Sequence, residues 1–145
     1  MKAADLPNDY NMCEILERNL KHRADKEALL SEHVKLTFRE ISDQVNKVGN
    51  ALTRLGVGFG ECVAILSPDR SEWVSTFFAT AKIGGVALGM NTMLSTKEYD
   101  YIFKDARVRV LVICENLLSL VEPILSNHKM LTKVIVIGAK ECTNY

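Results

Sequence analysis

The sequence predicts an α/β protein with an open, mainly parallel sheet flanked by helices and a small β-ribbon near the N-terminus. Short apolar runs recur along its second half, and the helical patterns between them are long enough to cross over between parallel strands. These runs are continuously apolar, as expected for strands that helices cover on both faces. Two residue pairs, Thr37 with Glu40 and Ser95 with Glu98, have the capping-box spacing of a helix start.

The N-terminal part is predicted to form a helix, the ribbon and a long helix. Residues 11 to 23 carry apolar side chains at helical spacing. Two short extended runs, 28 to 31 and 34 to 38, flank Glu32 and His33, which is typical of a tight turn between paired strands. The long helix follows Thr37 and ends at Gly56. Its apolar stripe consists of Ile41, Val45, Val48, Leu52 and Leu55.

From Glu61 onward, strands and helices are predicted to alternate. The predicted strands are 62 to 66, 86 to 88, 108 to 113 and 134 to 137, and the predicted helices are 70 to 83, 97 to 106 and 116 to 127. No repeat or Pro/Gly/Ser-rich linker interrupts this pattern, so we expect one domain over residues 1–145. Only seven residues follow Gly138. We therefore expect a truncated unit whose last strand lacks a covering helix.

Composition excludes several classes of function. Eighteen basic and eighteen acidic residues leave no net charge to attract a polyanion, so we expect no nucleic-acid partner. The cysteines, Cys13, Cys62, Cys114 and Cys142, lack the spacing of a zinc or redox site. We expect reduced thiols in a cytoplasmic chain, with Cys62 and Cys114 as small buried hydrophobes. No apolar run reaches the ~18 residues of a membrane span, and the polar N-terminus does not resemble a signal peptide.

Ligands of open α/β sheets bind beyond the carboxyl ends of the strands. The loops at that edge are predicted at 67 to 70, 89 to 92, 114 to 116 and 138 to 140. The glycines of the stretch 83 to 93 invite comparison with a phosphate-binding loop, but Gly84 and Gly85 precede their strand and no Gly-Lys-Ser/Thr follows. We interpret the stretch as a structural joint in which these glycines end a helix and Asn91 anchors a turn.

Other candidate residues favour structural roles. Asp69 and Glu72 form a possible carboxylate pair, but acids at a helix start commonly complement the helix dipole. Ser67 lies outside any Gly-x-Ser-x-Gly elbow. Helical spacing favours core packing for the aromatic residues Trp73, Phe77 and Phe78. We therefore assign no catalytic or metal-binding residue, and we leave cofactor-binding and substrate-binding residues unassigned.

A succession of motifs resembles the N-terminal portion of the acyl-adenylate-forming (AMP-binding) enzymes, which include acyl-CoA and aryl-CoA synthetases, luciferases and peptide-synthetase adenylation domains. The similar stretches are Leu36 to Ile41, Ala51 to Val57, Gly60 to Ile65, Ser71 to Trp73, Phe77 to Val86 and Met90 to Thr92. The segments Met90 to Leu94 and Tyr99 to Ile113 most resemble the benzoate-CoA ligase branch. Two positions depart from the family: Gly89 replaces a frequent proline, and Met93 replaces an arginine that some aryl-CoA ligases direct at coenzyme A phosphate.

The resemblance implies the flavodoxin-like half of an adenylating enzyme. The parent enzyme would use ATP, Mg²⁺ and coenzyme A to convert a carboxylic acid substrate to an acyl-adenylate and then to a thioester. The family's triphosphate loop, magnesium-binding Glu, ribose-binding Asp and mobile lysine have no counterpart here, so this chain alone is expected to be inactive and to bind cofactors weakly or not at all. The expected partner is the remainder of the ligase or a self-associating surface. Two alternatives stay open: a stand-alone flavodoxin-like nucleotide-binding module and a structural interaction module.

Overall fold

The computed structural model describes residues 10–31 and 34–138. The strands are β1 (Glu27–Leu30), β2 (Lys35–Thr37), β3 (Cys62–Leu66), β4 (Val86–Gly89), β5 (Val108–Cys114) and β6 (Lys133–Ile137). The α-helices are α1 (Glu14–Arg23), α2 (Phe38–Arg54), α3 (Ser71–Lys82), α4 (Thr96–Asp105) and the single turn α5 (Leu118–Val121). The turn predicted at Glu32 and His33, Cys142 and most of the loop predicted at 138 to 140 lie outside the described residues.

The strands form the two sheets that the sequence predicts. β1 and β2 pair antiparallel as the small ribbon. The other four pair in parallel, in the order β4-β3-β5-β6. The chain therefore leaves β3 to form β4 on one side and then crosses to form β5 on the other. The crevice between the ends of β3 and β5 is the topological switch point, where α/β sheets most often bind ligands.

Helices cover both faces of the four-stranded sheet. On one face, Cys62, Ala64 and Leu66 pack with apolar residues of α4 and α5. On the other face, Val63 packs with residues of α1, α2 and α3. Every residue of β3 is consequently buried, which is why this strand is apolar throughout. Burial of one such aliphatic side chain contributes about 1.5–3 kcal/mol, so the sheet interior dominates the stability of the fold.

Helix boundaries follow the predicted caps. Thr37 and Glu40 form a capping box at the start of α2, with the Thr37 amide 2.8 Å from Glu40 Oε2. Gly56 and Gly84 follow the ends of α2 and α3 with φ of +85° and +81°, the left-handed conformation that glycine adopts without strain. After α3, the Gly84 amide donates to Ala81 and the Gly85 amide donates to Thr80. The interpretation of the two glycines as a helix stop is confirmed.

The helix predicted at 116 to 127 is wrong as a continuous element. The structure shows a 3₁₀ turn at Glu115–Leu117, the short α5, and a second 3₁₀ segment at Glu122–Asn127. Pro123 accounts for the break, because proline lacks the N–H that an α-helix interior requires and its ring clashes with the preceding turn. The segment still buries Val121 and Ile124 against the sheet, so the apolar pattern correctly predicted packing but not helix type.

Candidate functional site

The candidate site is the edge of the sheet at the carboxyl ends of β3, β4 and β5. An open groove lies between the loops that follow β3 and β4. Its lining residues are Ser67, Pro68, Asp69, Trp73, Gly89, Met90, Asn91 and Thr92. The groove combines an indole ring, a carboxylate and a primary amide, the mixed apolar and polar lining that is common in small-molecule sites.

The side wall of the groove depends on a close approach between Trp73 and Gly89. A Cβ atom at position 89 would lie 2.8 Å from the Trp73 ring, which is inside van der Waals contact. Gly89 therefore lets the indole lie directly against the end of β4. The Trp73 ring also stacks on Phe77, with ring centroids 5.1 Å apart and planes inclined by 9°. Because these two rings are four residues apart on α3, they form one continuous aromatic surface.

The interpretation of Trp73 and Phe77 as core residues is wrong, whereas Phe78 packs as predicted. Phe78 contacts the cluster between α2, α3 and the sheet. Trp73 and Phe77 are partly exposed and belong to neither core cluster. Helical spacing shows that residues share a side of α3, but it does not show whether that side faces the sheet. Phe78 lies on the side that packs on the sheet, whereas Trp73 and Phe77 lie on another side. The Trp73 side chain instead borders the groove at the carboxyl edge.

Asn91 anchors the turn that closes the groove. Its Oδ1 accepts a hydrogen bond of 2.9 Å from the Met93 amide, and its carbonyl oxygen accepts one of 2.9 Å from the Tyr99 hydroxyl. Tyr99 lies on α4 with a fully buried side chain, and burial raises the pKa of its phenol. The turn is thus tied to α4 from within the core. Met93 is 89% exposed beyond it.

Arg70 bridges the topological switch point between β3 and β5. Its Nη1 lies 3.4 Å from Cys114 Sγ at the end of β5, and its Nε lies 3.5 Å from a Glu72 carboxylate oxygen. Cys62 and Cys114 are both buried, as predicted. The sequence pattern marks the loop that contains Arg70. It does not reveal this contact, which joins residues 44 positions apart.

Glu72 and Ser67, two other candidates from the sequence, form local hydrogen bonds. Glu72 lies in the first turn of α3, where it accepts a hydrogen bond from the Ser71 hydroxyl, whereas Asp69 precedes the helix and lines the groove. The buried Ser67 hydroxyl donates to the Pro68 carbonyl 2.9 Å away. Glu72 is therefore engaged at the helix start, whereas Asp69 borders the groove.

Comparison with known proteins agrees with this architecture. The sequence pattern of the AMP-binding enzymes matches residues 16–145. The chain belongs to this family. It is 32% identical to a 3-hydroxybenzoate/4-hydroxybenzoate-CoA ligase of Thauera aromatica over 95% of this chain and 25% of that protein. It is 31% identical to a benzoate-CoA ligase of the same organism over 94% of this chain and 26% of that protein. The similarity to benzoate-CoA ligases is confirmed.

A solved CoA ligase has nearly the same fold over this region. The anthranilate-CoA ligase AuaEII, in complex with anthranoyl-AMP, superposes with a TM-score of 0.92 and 51% identity over 95% of this chain and 27% of that structure. A long-chain-fatty-acid-CoA ligase from Rhodopseudomonas palustris, of putative function, superposes with a TM-score of 0.87 at 27% identity, over 93% of this chain and 34% of that structure. The chain therefore spans about a quarter to a third of the length of these four proteins.

Magnesium chemistry in AMP-binding enzymes requires oxygen ligands, so the described residues can be tested for them. Among residues 10–31 and 34–138, no three His, Cys, Asp or Glu side chains come close enough together to hold a metal ion. Asp69 is the carboxylate that lines the carboxyl-edge groove. In the same part of the chain, no helix has both the length and the apolar character needed to cross a membrane.

The capping box that begins α4 should make stability depend on pH. The Ser95 hydroxyl and amide each lie 2.7 Å from Glu98 Oε2, and these hydrogen bonds hold the pKa of Glu98 below its ordinary value. A lowered folded-state pKa means that this contribution to stability is present above the ordinary Glu pKa and is lost as pH falls through the folded value. Glu98→Gln keeps a side-chain oxygen that can accept the hydrogen bonds from Ser95, but it removes the titratable carboxyl group.

We therefore expect the free energy of unfolding to fall less steeply from neutral to acidic pH in Glu98→Gln than in the parent chain. Urea unfolding followed by circular dichroism between pH 7 and about pH 3 measures this difference. Parallel pH profiles for the two proteins would show that the Glu98 hydrogen bonds do not contribute to acid sensitivity.

Proposed function

We propose that this chain is the N-terminal part of an AMP-forming carboxylic acid-CoA ligase whose substrate is an aromatic acid. The observation that carries the proposal is the superposition on AuaEII at 51% identity over nearly the whole chain. AuaEII is an anthranilate-CoA ligase, and the matched Thauera aromatica proteins are ligases of benzoate and hydroxybenzoates. The 51% identity to AuaEII, against 27% to the long-chain-fatty-acid-CoA ligase structure, favours an aryl acid over a fatty acid.

The proposed reaction activates a carboxylate, which has a poor leaving group, by joining it to AMP. The carboxylate oxygen attacks the α-phosphorus of ATP, and pyrophosphate leaves. The thiol of coenzyme A then attacks the acyl carbon, and AMP leaves. A magnesium ion held by the remainder of the ligase would neutralise charge on the triphosphate. We propose that the residues that perform this chemistry lie in the remainder of the ligase, because the described residues hold no cluster of three potential metal ligands and no glycine-rich phosphate loop between a strand and its following helix.

The chain's own contribution is to position one wall of the site. Tyr99 and Asn91 fix the turn after β4, Gly89 lets Trp73 lie against that turn, and the partly exposed ring borders the groove. Such a rigid wall orients a ligand without contributing to bond making, which is a positioning role. We further propose that residues 1–145 form one cytoplasmic domain, that the triphosphate loop lies beyond it, and that its partner is the remainder of the ligase.

The proposal is tested by ATP–pyrophosphate exchange with the chain alone and with a chimera. In the chimera, this chain replaces the matching N-terminal region of AuaEII, and anthranilate and benzoate are offered as acids. The chimera should catalyse acid-dependent exchange, whereas the chain alone should show none. Substantial exchange by the isolated chain would contradict the fragment interpretation. A folded chimera without exchange would contradict the ligase function.

Binding by the isolated chain separates the alternative functions. A stand-alone nucleotide module should bind ATP, FMN or coenzyme A saturably in calorimetric titrations, and the ligase-fragment interpretation predicts no saturable binding at concentrations typical of a nucleotide site. Saturable micromolar binding with no exchange by the chimera would favour the stand-alone module.

A further inference from the structure

A second groove, of about 380 Å³, lies at the amino edge of the four-stranded sheet, where the strands begin. It lies between the end of α4 and the loop that precedes β6. Phe103 and His128 form its floor, since Phe103 is 1% exposed and the His128 side chain is 8% exposed. The His128 ring packs on Phe103, and its Nε2 lies 2.9 Å from Asp100 Oδ1. The floor is therefore held in place by packing and by a hydrogen bond.

Three cationic side chains line this amino-edge groove. Lys104 comes from the last turn of α4, Arg107 from the connection to β5, and Lys129 from the loop before β6. Asp100 supplies a carboxylate to the lining, but it is already hydrogen-bonded to His128. Within the described part of the chain, none of the three cations forms an ion pair with a carboxylate. The groove therefore carries an excess of positive charge.

The backbone places Arg107 in a conformation that is unusual for arginine. Its φ is +50°, in the left-handed region, directly after Ala106 at the C-cap of α4. Glycine is usual at this position, because a Cβ atom in the left-handed region lies close to a carbonyl oxygen. Arg107 is exposed, so packing in the core does not explain the choice of residue. Strain of this kind at a surface residue is typical of functional sites.

The dipole of α4 accounts for only part of this cluster. A cation in the last turn, such as Lys104, complements the partial negative charge at the C-terminus of a helix. Lys129 belongs to a separate segment, yet it lines the same groove. Because like charges that converge repel one another, an anion between the three side chains would lower their electrostatic free energy.

We propose that the amino-edge groove binds the phosphate group of a small phosphorylated ligand. The planar guanidinium of Arg107 can donate two parallel hydrogen bonds to phosphate oxygens, and Lys104 and Lys129 supply point charges. The three cations are exposed and screened by salt, so we expect a dissociation constant of about 1 mM for pyrophosphate. This inference goes beyond the proposed function. Pyrophosphate and AMP, which the proposed reaction releases, are two sources of such a group.

Titration of the chain with sodium pyrophosphate at constant ionic strength tests the site. Amide chemical shifts in ¹⁵N-resolved NMR spectra report where the anion binds. We expect saturable shifts at Arg107, His128 and Lys129 with half-saturation at about 1 mM, while Trp73 and Asn91 at the carboxyl edge keep their shifts. An absence of saturable shifts in the amino-edge groove below about 10 mM pyrophosphate would overturn the proposal.

Arg107→Gly and Lys97→Gln form a matched pair, because each removes one positive charge. Lys97 lies at the opposite end of α4 and does not line the groove. Glycine suits the left-handed backbone, so Arg107→Gly should fold with an unchanged or higher melting temperature. Arg107→Gly should weaken pyrophosphate binding at least about fivefold, and Lys97→Gln less than about twofold. Equal weakening by the two substitutions would show that the anion responds only to net charge and would contradict a site in the groove.

Inorganic phosphate, AMP and adenosine separate the possible sources of the phosphate group. Inorganic phosphate and AMP should shift the same amides as pyrophosphate, whereas adenosine should shift none. A stronger response to AMP than to inorganic phosphate would assign a nucleotide as the source, and an equal or weaker response would assign a free phosphate or pyrophosphate. Shifts of these amides by adenosine would show recognition of the nucleoside and overturn the proposal.

These outcomes are independent of the ligase function, because they need only this chain and phosphate probes. A failed titration beside an active chimera would overturn the phosphate site and leave the proposed function supported. A successful titration beside an inactive chimera would do the reverse. Binding in the millimolar range also separates this groove from the stand-alone nucleotide module, for which micromolar binding is expected.

Discussion

Replacing Phe103 with alanine is expected to lower the free energy of unfolding by about 3–5 kcal/mol, the usual cost of emptying a buried aromatic site. Phe103 is 1% exposed on the inner face of α4. Its ring packs edge-on against His128, with centroids 5.4 Å apart, and His128 Nε2 lies 2.9 Å from Asp100 Oδ1. The substitution thus opens a cavity beside a partly buried hydrogen-bonded pair. A loss of this size is a large fraction of the ~5–15 kcal/mol that stabilises a typical domain.

Tyr101→Ala on the same helix is the matched control. Tyr101 is 68% exposed, so its truncation should change stability by less than about 0.5 kcal/mol. Urea unfolding of both variants, followed by tryptophan fluorescence from Trp73, gives the two values. Similar losses for Phe103→Ala and Tyr101→Ala would show that the cluster under α4 does not contribute more to stability than the helix surface.

The second large effect is expected at Gly85, where the chain passes close to α3. A Cβ atom there would lie 2.9 Å from Thr80 Cγ2, 3.2 Å from the Glu61 carbonyl oxygen and 3.3 Å from the Thr80 carbonyl oxygen. Two of these three neighbours are backbone atoms, which cannot rotate away. Gly85→Ala should therefore cost about 1–3 kcal/mol through overpacking. The measurement is again the free energy of unfolding in urea.

Gly58→Ala tests whether that loss comes from the close approach. A Cβ atom at position 58 would meet only Glu61 Oε2, at an ordinary 3.8 Å, and Gly58 does not have a positive φ. This substitution should be neutral or stabilise the chain by up to about 1 kcal/mol, because alanine restricts the unfolded state. Equal destabilisation at both positions would point to loss of glycine flexibility and would contradict steric contact at Gly85 as the cause.

Much of the fold could be predicted because its signals are local. The spacing of Thr37 and Glu40 predicts the start of α2, and the apolar run from Cys62 to Leu66 coincides with β3. Gly84 predicts the end of α3, since glycine adopts the left-handed conformation readily. In each case, the residues that specify the structure are neighbours in sequence.

Two errors arose where a periodic pattern has more than one structural solution. The apolar spacing around Val121 and Ile124 is satisfied by an α-turn between two 3₁₀ segments, because Pro123 excludes a continuous helix. The spacing of Trp73 and Phe77 is satisfied at the flank of α3 as well as at its inner face. Periodicity reports that residues share a side of a helix, but tertiary structure decides what that side contacts.

The candidate site was predictable as an edge of the sheet and not as a set of contacts. The order of strands and helices indicates the loops after β3, β4 and β5. The Trp73 ring against Gly89 and the Arg70 guanidinium near Cys114 depend on distances between separate loops. Such contacts are set by the packing of whole elements, so sequence spacing carries no direct signal for them.

The strand order also bears on how the chain folds while it is being synthesised. β3 and β4 belong to one compact β-α-β unit and can pair soon after Gly89 leaves the ribosome. The other side of β3 stays unpaired until β5, which begins at Val108, has been synthesised. During that interval, the hydrophobic strand Cys62 to Leu66 has one unpaired side. Pairing with β5 closes a longer loop and is correspondingly slower, so the unpaired side of β3 stays accessible to chaperones during that interval.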